Sequence, residues 1–295
     1  MLIGIIANIT KENVFEVVSS FISKLKKNQI DYLLTKSLHE DKNKIKIELY
    51  DDFVTDDKEI YEKADIIISI GGDGTMLATA YNAQFYDKPV LGINLGKLGF
   101  LVETDISQMD KVIQILKEEN FQIDERMVIT GRLDGHTSEK LYAINDIVID
   151  KGGWPKMIEL TIWVDDEYVT TFSADGLIVA TPVGSTGYSI SVGGPIVSPK
   201  ADVITLSPIS PHSLTVRPLV LTSNQNILIK ADSPFKDIKV NCDGQRSYSF
   251  HPPMEIKISK SDRPIKLIHT SLTTYFETLR NKLMWGIDLR TKKDL

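Results

Sequence analysis

Apolar runs and amphipathic stretches alternate through the first half of the chain. Short runs that are apolar throughout predict buried strands, whereas apolar residues at three- and four-residue spacing predict helices. Strands are predicted at residues 2–7, 30–34, 64–70 and 90–94, and helices at residues 13–27, 75–81 and 107–119. This succession favours a parallel sheet with crossover helices, so residues 1–124 are predicted to form a Rossmann-like α/β domain. The charged and weakly periodic residues 37–58 are interpreted as surface.

The period shortens after about residue 124. Runs rich in Ile, Val and Thr, separated by turn residues, predict strands at residues 142–150, 158–164, 168–172, 177–181, 219–222, 227–230, 238–242 and 254–258. Regular short strands with few helical patterns favour a β-sandwich-like domain, which we place at residues 125–270. Residues 271–285 predict one last amphipathic helix, so a C-terminal helix and tail occupy residues 271–295.

Length, charge and cysteine content narrow the class of protein. A chain of 295 residues accommodates one large domain or two of medium size. The formal net charge of −6 argues against broad nucleic-acid binding, because phosphate backbones require clustered Lys and Arg. No apolar stretch approaches the ~20 residues that span a membrane, and no basic leader precedes the first strand. The lone cysteine, Cys242, excludes an internal disulfide, so a cytoplasmic protein without a membrane partner is expected.

A glycine-dense turn follows the third predicted strand. Residues 71–75 read Gly-Gly-Asp-Gly-Thr, which places Asp73 at the carboxyl end of a strand, where open α/β sheets bind ligands. Glycines allow the backbone to approach a phosphate or ribose, and the helix N-terminus that follows favours an anion. A carboxylate there can accept the proton of an attacking hydroxyl, as phosphoryl transfer requires. Taken alone, the same residues are equally well explained by a structural turn in which Asp73 caps the next helix.

Several common cofactor sites are excluded by what the motif lacks. The chain contains no Walker A sequence, and the third glycine of the dinucleotide fingerprint is missing, which argues against a hydride-transferring Rossmann enzyme. The five histidines show no pairing at metal-ligand spacing. They are His39, His136, His212, His251 and His269. We therefore expect no metal ion held by protein ligands alone.

Five segments of the chain, in order, resemble the NAD kinase family. Residues 71–75 match its Gly-Gly-Asp-Gly motif, which diacylglycerol, sphingosine and 6-phosphofructo kinases share more loosely. The other matching segments are residues 92–101, 143–146, 175–191 and 274–286. The resemblance spans nearly the whole chain. It implies transfer of the terminal phosphoryl group of ATP to the adenosine ribose 2′-hydroxyl of NAD, giving NADP.

The resemblance also implies roles for single residues. Asp73 corresponds to the residue that accepts the hydroxyl proton, with Gly74 beside it, and Asn145 and Asp146 correspond to the pair that holds the adenosine. At the second position of that pair the family more often has Glu, so the reach of the shorter Asp146 to a ribose hydroxyl is the contact in question. Lys156 matches a basic position that contacts the nucleotide in many members, although a lone loop lysine is usually only solvated.

Further NAD-binding residues follow from the longer matching segments. Asp175 resembles the residue near the nicotinamide end of NAD, and Gln245 resembles a contact near the dinucleotide phosphates. One block is expected to hold the adenine and ribose, with Tyr188 packed against a ring. Its residues are Thr186, Gly187, Tyr188, Ser189, Ile190 and Ser191. Gly187 stands where the family more often has Ala; alone, this block also fits a Gly/Ser-rich turn.

The partners expected are NAD and ATP, with Mg²⁺ carried by the phosphate donor, because divalent ions neutralise charge on the transferring phosphoryl group. The resemblance further implies a homo-oligomer, either dimer or tetramer. Two alternatives remain: a lipid kinase that shares the Gly-Gly-Asp-Gly loop, and a catalytically silent dinucleotide-binding regulator. Whether polyphosphate replaces ATP, or NADH replaces NAD, is left open by the sequence.

Overall fold

The structure is a computed structural model that describes residues 1–40, 54–96, 99–133, 140–153, 155–234 and 237–286, with the backbone alone at residues 54 and 55. The chain divides into two compact units. The first unit comprises Met1–Glu125 and the segment from Lys266 onward, and the second comprises Arg126–Ile265. The domain boundaries at residues 124 and 270 stay a prediction.

The N-terminal segment of the first unit alternates strands and helices. Its strands are β1 (Leu2–Ala7), β2 (Asp31–Thr35), β3 (Val54–Thr55), β4 (Ile66–Gly71), β5 (Pro89–Asn94), β6 (Thr104–Asp105) and β7 (Gln122–Arg126). Its helices are α1 (Val14–Lys27), α2 (Lys36–Glu40), α3 (Asp57–Lys63), α4 (Asp73–Ala83) and α5 (Met109–Lys117). Helix α1 shows why the pattern was readable: Val14, Phe21 and Leu25 recur on one face and are buried in the core.

The second unit is a sandwich of two six-stranded antiparallel sheets. Its elements are β8 (Ile129–Leu133), β9 (Leu141–Ala143), β10 (Asp146–Asp150), β11 (Ile158–Val164), β12 (Glu167–Ala174), β13 (Gly176–Ala180), α6 (Tyr188–Ser191), β14 (Val203–Ile209), β15 (Leu219–Thr222), β16 (Ile227–Asp232), β17 (Ile238–Cys242), β18 (Arg246–Phe250) and β19 (Met254–Lys260). One sheet has the order β15-β14-β13-β10-β17-β18 and the other β12-β11-β16-β19-β8-β9. Alternate side chains, such as Ile149 and Val240 from one sheet and Leu160 and Ile229 from the other, meet in one core. The sandwich prediction is confirmed.

The chain then returns to the first unit with β20 (Ile265–His269) and α7 (Tyr275–Leu283). Strand β20 pairs in parallel with β5, Leu267 opposite Val90. The sheet has the order β3-β2-β1-β4-β5-β20-β7, with β6 also pairing with β5. Strand β4 is buried throughout, as expected for a parallel strand covered on both faces. The parallel α/β prediction is therefore confirmed. Strand β4 ends at Gly71, so residues 71–75 lie at the carboxyl edge of the sheet.

Two predictions of local structure need correction. Residues 142–150 do not form one strand: β9 ends at Ala143 and β10 begins at Asp146, because the backbone between them bonds to an aspartate from another turn. The surface interpretation of residues 37–58 is wrong at Leu38, which is fully buried in α2. Residues 41–53 of that stretch lie outside the described residues. No helix in the described ranges is long and apolar enough to cross a membrane.

Candidate active site

The glycine-dense turn joins β4 to α4. Gly71 ends the strand, Gly72 is the extended N-cap residue, and Asp73 is the first residue of the helix. A Cβ on Gly71 would lie 2.4 Å from the Thr75 hydroxyl oxygen, so the turn requires glycine there. Gly74 is exposed in the first turn of α4. This geometry places the Asp73 carboxylate at a helix N-terminus, where the helix dipole favours negative charge.

The Asp73 carboxylate is held by backbone N–H groups of residues 100–102. Oδ2 accepts the Phe100 N–H at 2.8 Å, and Oδ1 accepts the N–H groups of Leu101 at 3.1 Å and Val102 at 3.2 Å. A Cβ on Gly99 would lie 1.7 Å from Oδ1, so the close approach requires glycine. A carboxylate offers about four lone-pair positions. Three are used, and the remaining one lies on Oδ2.

Sequence reasoning missed the partners of Asp73. Phe100 and Leu101 belong to the matching segment 92–101, whose backbone was given no role, and Val102 directly follows it. Lys282 was also missed: its Nζ lies 3.7 Å from Asp73 Oδ2, although it belongs to α7 near the end of the described chain. Only the fold brings these groups together, so no local pattern could have identified them.

A second aspartate organises the predicted adenosine site in the second unit. Asp243 Oδ1 accepts the N–H groups of Asn145 at 2.6 Å and Asp146 at 3.3 Å, while Oδ2 accepts the Ile144 N–H at 3.2 Å. Arg246 Nη2 donates to Oδ2 at 2.7 Å and balances the buried charge. Asp243 therefore fixes the backbone that carries Asn145 and Asp146. Sequence reasoning gave Asp243 no role.

Asp146 is buried, with 4% of its surface exposed. Burial, and secondarily the charge of Asp243, raise the pKa of the Asp146 carboxyl to about 7 from an ordinary value of 3.8. Near neutral pH the group therefore exists in both protonation states. As a carboxylate it only accepts hydrogen bonds, whereas the protonated form can also donate one.

A glycine-containing turn closes over this pair. The Thr181 N–H donates to the Asn145 carbonyl at 2.9 Å, and a Cβ on Gly184 would lie 2.0 Å from the same oxygen. At Gly187 a Cβ would lie 3.7 Å from both Asn145 Nδ2 and Asp146 Oδ2. The structure thus brings Asn145, Asp146 and Gly187 together. Asn145 Oδ1 is buried and has no hydrogen-bond partner within the described residues, as expected of an acceptor that awaits a ligand.

Three of the four hydroxyls in the predicted block form hydrogen bonds within the protein. Thr186 Oγ1 donates to the Val183 carbonyl at 3.2 Å, and Ser191 Oγ donates to the Tyr188 carbonyl at 2.7 Å. The buried Ser189 hydroxyl lies 2.9 Å from that of Ser207. Ile190 is half-buried. Tyr188 is exposed over 48% of its surface, so its ring is available for packing against a ligand.

Asp175 lies next to the other end of the strand pair formed by β10 and β13. Asp146 pairs with Ala180, whereas Asp150 pairs with Gly176, the residue after Asp175. Four residues of strand, about 14 Å at ~3.4 Å per residue, therefore separate the Asp146 and Asp175 ends. The Lys151 ammonium donates to Asp175 Oδ1 at 2.5 Å, a partner that sequence reasoning missed.

Two further predicted contacts are exposed. Lys156 lies between β10 and β11, and Gln245 lies in the β17–β18 hairpin turn that also carries Asp243. Of these two residues, only Gln245 shares a turn with Asp243, whose carboxylate binds the backbone of Asn145 and Asp146. Over the described ranges, no group of three or more His, Cys, Asp and Glu residues is placed to hold a metal ion.

Both units match domain models of one class of kinases. Residues 3–121 match the family model of the ATP-NAD kinase N-terminal domain, and residues 144–270 match that of the C-terminal domain. The NAD kinase of Chlorobium phaeobacteroides is 36% identical over 291 residues, covering 97% of this chain and 98% of that protein. The chain belongs to the NAD kinase family.

Other relatives agree with this assignment. An NAD kinase of Clostridium botulinum is 41% identical over 249 residues, which cover 84% of this chain and 88% of that protein. The crystal structure of yeast NADH kinase complexed with NADH has a TM-score of 0.89 at 27% identity, covering 99% of this chain and 90% of that one. An Archaeoglobus fulgidus NAD kinase in complex with ATP has a TM-score of 0.74 at 26% identity, covering 96% and 98%.

Proposed function

We propose that this enzyme transfers the terminal phosphoryl group of ATP to the 2′-hydroxyl of the adenosine ribose of NAD. Membership of the NAD kinase family supports the reaction, and solved relatives bind NADH and ATP. The observation that carries the proposal is the Asp73 carboxylate at the end of β4, held by three backbone N–H groups with one lone-pair position left. The structural relatives reported above are NAD(H) kinases, so the lipid-kinase alternative has no support.

The proposed step conserves atoms and charge. The ribose 2′-oxygen attacks the terminal phosphorus of ATP, and the bond from that phosphorus to the bridging oxygen of ADP breaks. The hydroxyl proton passes to Asp73 Oδ2, so that the products are NADP, ADP and a proton released later to solvent. Asp73 is thus the proposed catalytic base, with the backbone of Gly74 beside it.

Recognition of NAD is assigned to the second unit. Asn145 Oδ1, the buried acceptor without a partner, is proposed to take a hydrogen bond from the adenosine moiety. Asp146 is proposed to bind a ribose hydroxyl, and Tyr188 to pack against a ring of the ligand. The backbone of Gly187 and the remaining block residues form the wall of this site. Those residues are Thr186, Ser189, Ile190 and Ser191.

The contacts toward the rest of the dinucleotide are also proposals. Asp175, at the other end of the β10–β13 ladder, is assigned to the nicotinamide side. Its separation from Asp146 suits the two ends of an extended dinucleotide. Lys156 and Gln245 are assigned to polar contacts with the nucleotide and its phosphates. Both side chains are exposed, as contacts with a charged ligand require.

A kinase that uses ATP works with a divalent metal ion, and we propose Mg²⁺. The ion enters as part of the MgATP substrate, held by phosphate oxygens and water. The residues present fit this arrangement, because Asp73 is largely occupied by backbone donors and adds at most one oxygen. The ion neutralises charge on the phosphoryl group while it transfers.

We also propose that the enzyme is a homo-oligomer, dimer or tetramer, that acts in the cytoplasm. Edge strand β15 and the segment before it expose apolar side chains, with Leu214 accessible over 86% of its surface and Val220 over 48%. Exposed apolar edges of this kind favour coverage by another chain. A monomer mass independent of concentration in sedimentation would contradict the oligomer. The single cysteine suits a reducing compartment.

The test is NADP formation from NAD and MgATP, followed with an NADP-specific dehydrogenase. Wild type should form NADP, and Asp73→Asn should lose ~10²- to 10⁴-fold in kcat, the usual contribution of a general base. An Asn side chain has one acceptor atom, so Asp73→Asn also loses backbone hydrogen bonds made by the carboxylate. NAD affinity and the thermal midpoint are therefore measured for the same variant, to separate loss of the base from loss of local structure. Asp31→Asn, which changes an exposed carboxylate of the same unit, is the matched control.

The outcomes separate the two parts of this proposal. A folded wild type that binds NAD but forms no NADP would be the silent regulator. A fully active Asp73→Asn enzyme would leave the reaction in place and remove Asp73 from the role of base.

A further inference from the structure

Helix α7 directs a lysine toward the glycine loop of the first unit. A capping box fixes the start of the helix: the Thr274 hydroxyl accepts the Glu277 N–H at 3.3 Å, and Glu277 Oε2 accepts the Thr274 N–H at 2.8 Å. Thr278 and Leu279 are buried. Since residues three and four apart share a helix face, Lys282 lies on the same side of α7 as Thr278 and Leu279.

The Lys282 ammonium contacts both parts of the Asp73 arrangement. Its Nζ lies 3.7 Å from Asp73 Oδ2 and 4.8 Å from the centroid of the Phe100 ring. Phe100 donates its N–H to the same carboxylate oxygen. The side chains of Asp73 and Lys282 are about one-third exposed, at 32% and 31%, so water screens their attraction only in part.

The ammonium approaches the carboxylate oxygen that has fewer backbone donors. Oδ1 is already fixed by two backbone N–H groups, whereas Oδ2 has one such donor and the ammonium. Oδ2 also carries the lone-pair position that remains for a ligand. A cation on the aromatic face and beside the carboxylate is held at two points, which limits its rotamers.

We propose that Lys282 is a positioning residue for Asp73, which holds Oδ2 in the orientation that receives the ribose hydroxyl proton. This inference rests on the proposed function, in which Asp73 is the base. It assigns to the C-terminal helix a share in the reaction, through a charge contact rather than through contact with NAD.

A double-mutant cycle on the full-length enzyme tests the inference. We compare wild type, Lys282→Met, Asp73→Asn and the double variant, and determine kcat and the KM values for NAD and MgATP. Lys282→Met should lower kcat by about 10-fold, within the range of coupling between contacting charged groups. Both KM values should stay within about two-fold, because a positioning residue touches neither substrate. In the Asp73→Asn background, where cycling of NADP detects residual activity, the same substitution should change kcat by less than about two-fold.

Two further variants exclude a merely structural role. Lys282→Arg keeps the charge and stacks on an aromatic ring, so it should restore most of the lost kcat. Arg280→Met removes a cation from an exposed position on the same helix and should behave as wild type. Thermal midpoints of all variants show whether α7 remains folded.

Each contrary result has a distinct meaning. An equal loss from Lys282→Met in both backgrounds would show that Lys282 does not act through Asp73. A raised KM for MgATP with unchanged kcat would make it a donor-binding residue and overturn the inference. A lowered thermal midpoint without rescue by Arg would leave only a structural role. Failure of wild type to form NADP would instead overturn the proposed function.

Discussion

The buried Asp146 carboxyl should make the second unit less stable as pH rises. In the folded chain its pKa is raised from 3.8 to about 7, first by burial and then by the charge of Asp243. In the unfolded chain the carboxyl returns to water and to its ordinary value. Between these two values the unfolded state has lost the proton while the folded state keeps it. The free energy of unfolding therefore falls as pH rises through this window.

The magnitude follows from the width of the window. Each pH unit between the two pKa values costs the folded state 1.36 kcal/mol, so the total from pH 4 to pH 7 is on the order of 4 kcal/mol. The contribution is fully favourable below pH 4, where both states are protonated. Above pH 7 the carboxyl is ionised in both the folded and the unfolded state, and the free energy of unfolding no longer changes with the titration of Asp146. Asp146→Asn removes the titrating group, so the difference in unfolding free energy between variant and wild type should rise across this range.

The assay is urea unfolding at several pH values from 4 to 8, in a Trp285→Phe background. The remaining tryptophans, Trp154 and Trp163, both belong to residues 126–265, so their fluorescence reports the second unit. Glu167→Gln, which changes an exposed carboxylate of the same unit, is the control and should show no comparable rise. A difference between Asp146→Asn and wild type that stays constant from pH 4 to 8 would refute the reasoning.

Close backbone approaches yield two more predictions. Gly184→Ala places a methyl 2.0 Å from the Asn145 carbonyl oxygen, so it should destabilise the second unit by about 1–3 kcal/mol and weaken NAD binding, measured by thermal unfolding and calorimetry. Gly99→Ala places a methyl 1.7 Å from Asp73 Oδ1 and should lower kcat more than it changes the KM for NAD in the coupled assay. Gly96→Ala is the control for Gly99→Ala, because no described atom lies within 4 Å of a Cβ at residue 96, and it should leave kcat and the KM for NAD near wild type. Equal losses of kcat from Gly96→Ala and Gly99→Ala would contradict the steric argument.

Local periodicity predicted those elements whose burial follows the chain itself. Strand β11 was predicted with its observed bounds because its alternate residues face the core. Several strands escaped the pattern, and three of them, β14, β18 and β20, show why. Pro208 interrupts β14, β18 is largely polar, and β20 joins the sheet of the first unit only through pairing with β5, far away in sequence. Strand pairing of that kind depends on the whole fold, so no window of sequence contains it.

The glycine positions of the candidate site could be predicted from the sequence, whereas the groups that contact each aspartate could not. Glycines at residues 71 and 184 mark close approaches that side chains forbid, and such positions are readable from sequence. What each aspartate does depends instead on which groups reach it. Asp243 is occupied by backbone donors and Arg246, which makes it a structural clamp.

The same reasoning separates the remaining carboxylates. Asp175 is paired with Lys151, whereas Asp73 keeps one lone-pair position on the oxygen that Lys282 approaches. Asp146 lies buried beside Gly187 with a pKa near neutrality, and therefore alternates between acceptor and donor. All these groups are aspartates next to turns, and the sequence does not show which other groups reach each carboxylate. Their distinct chemistry arises from neighbours supplied by other turns and helices, which is why the proposed base and its positioning lysine must be tested together.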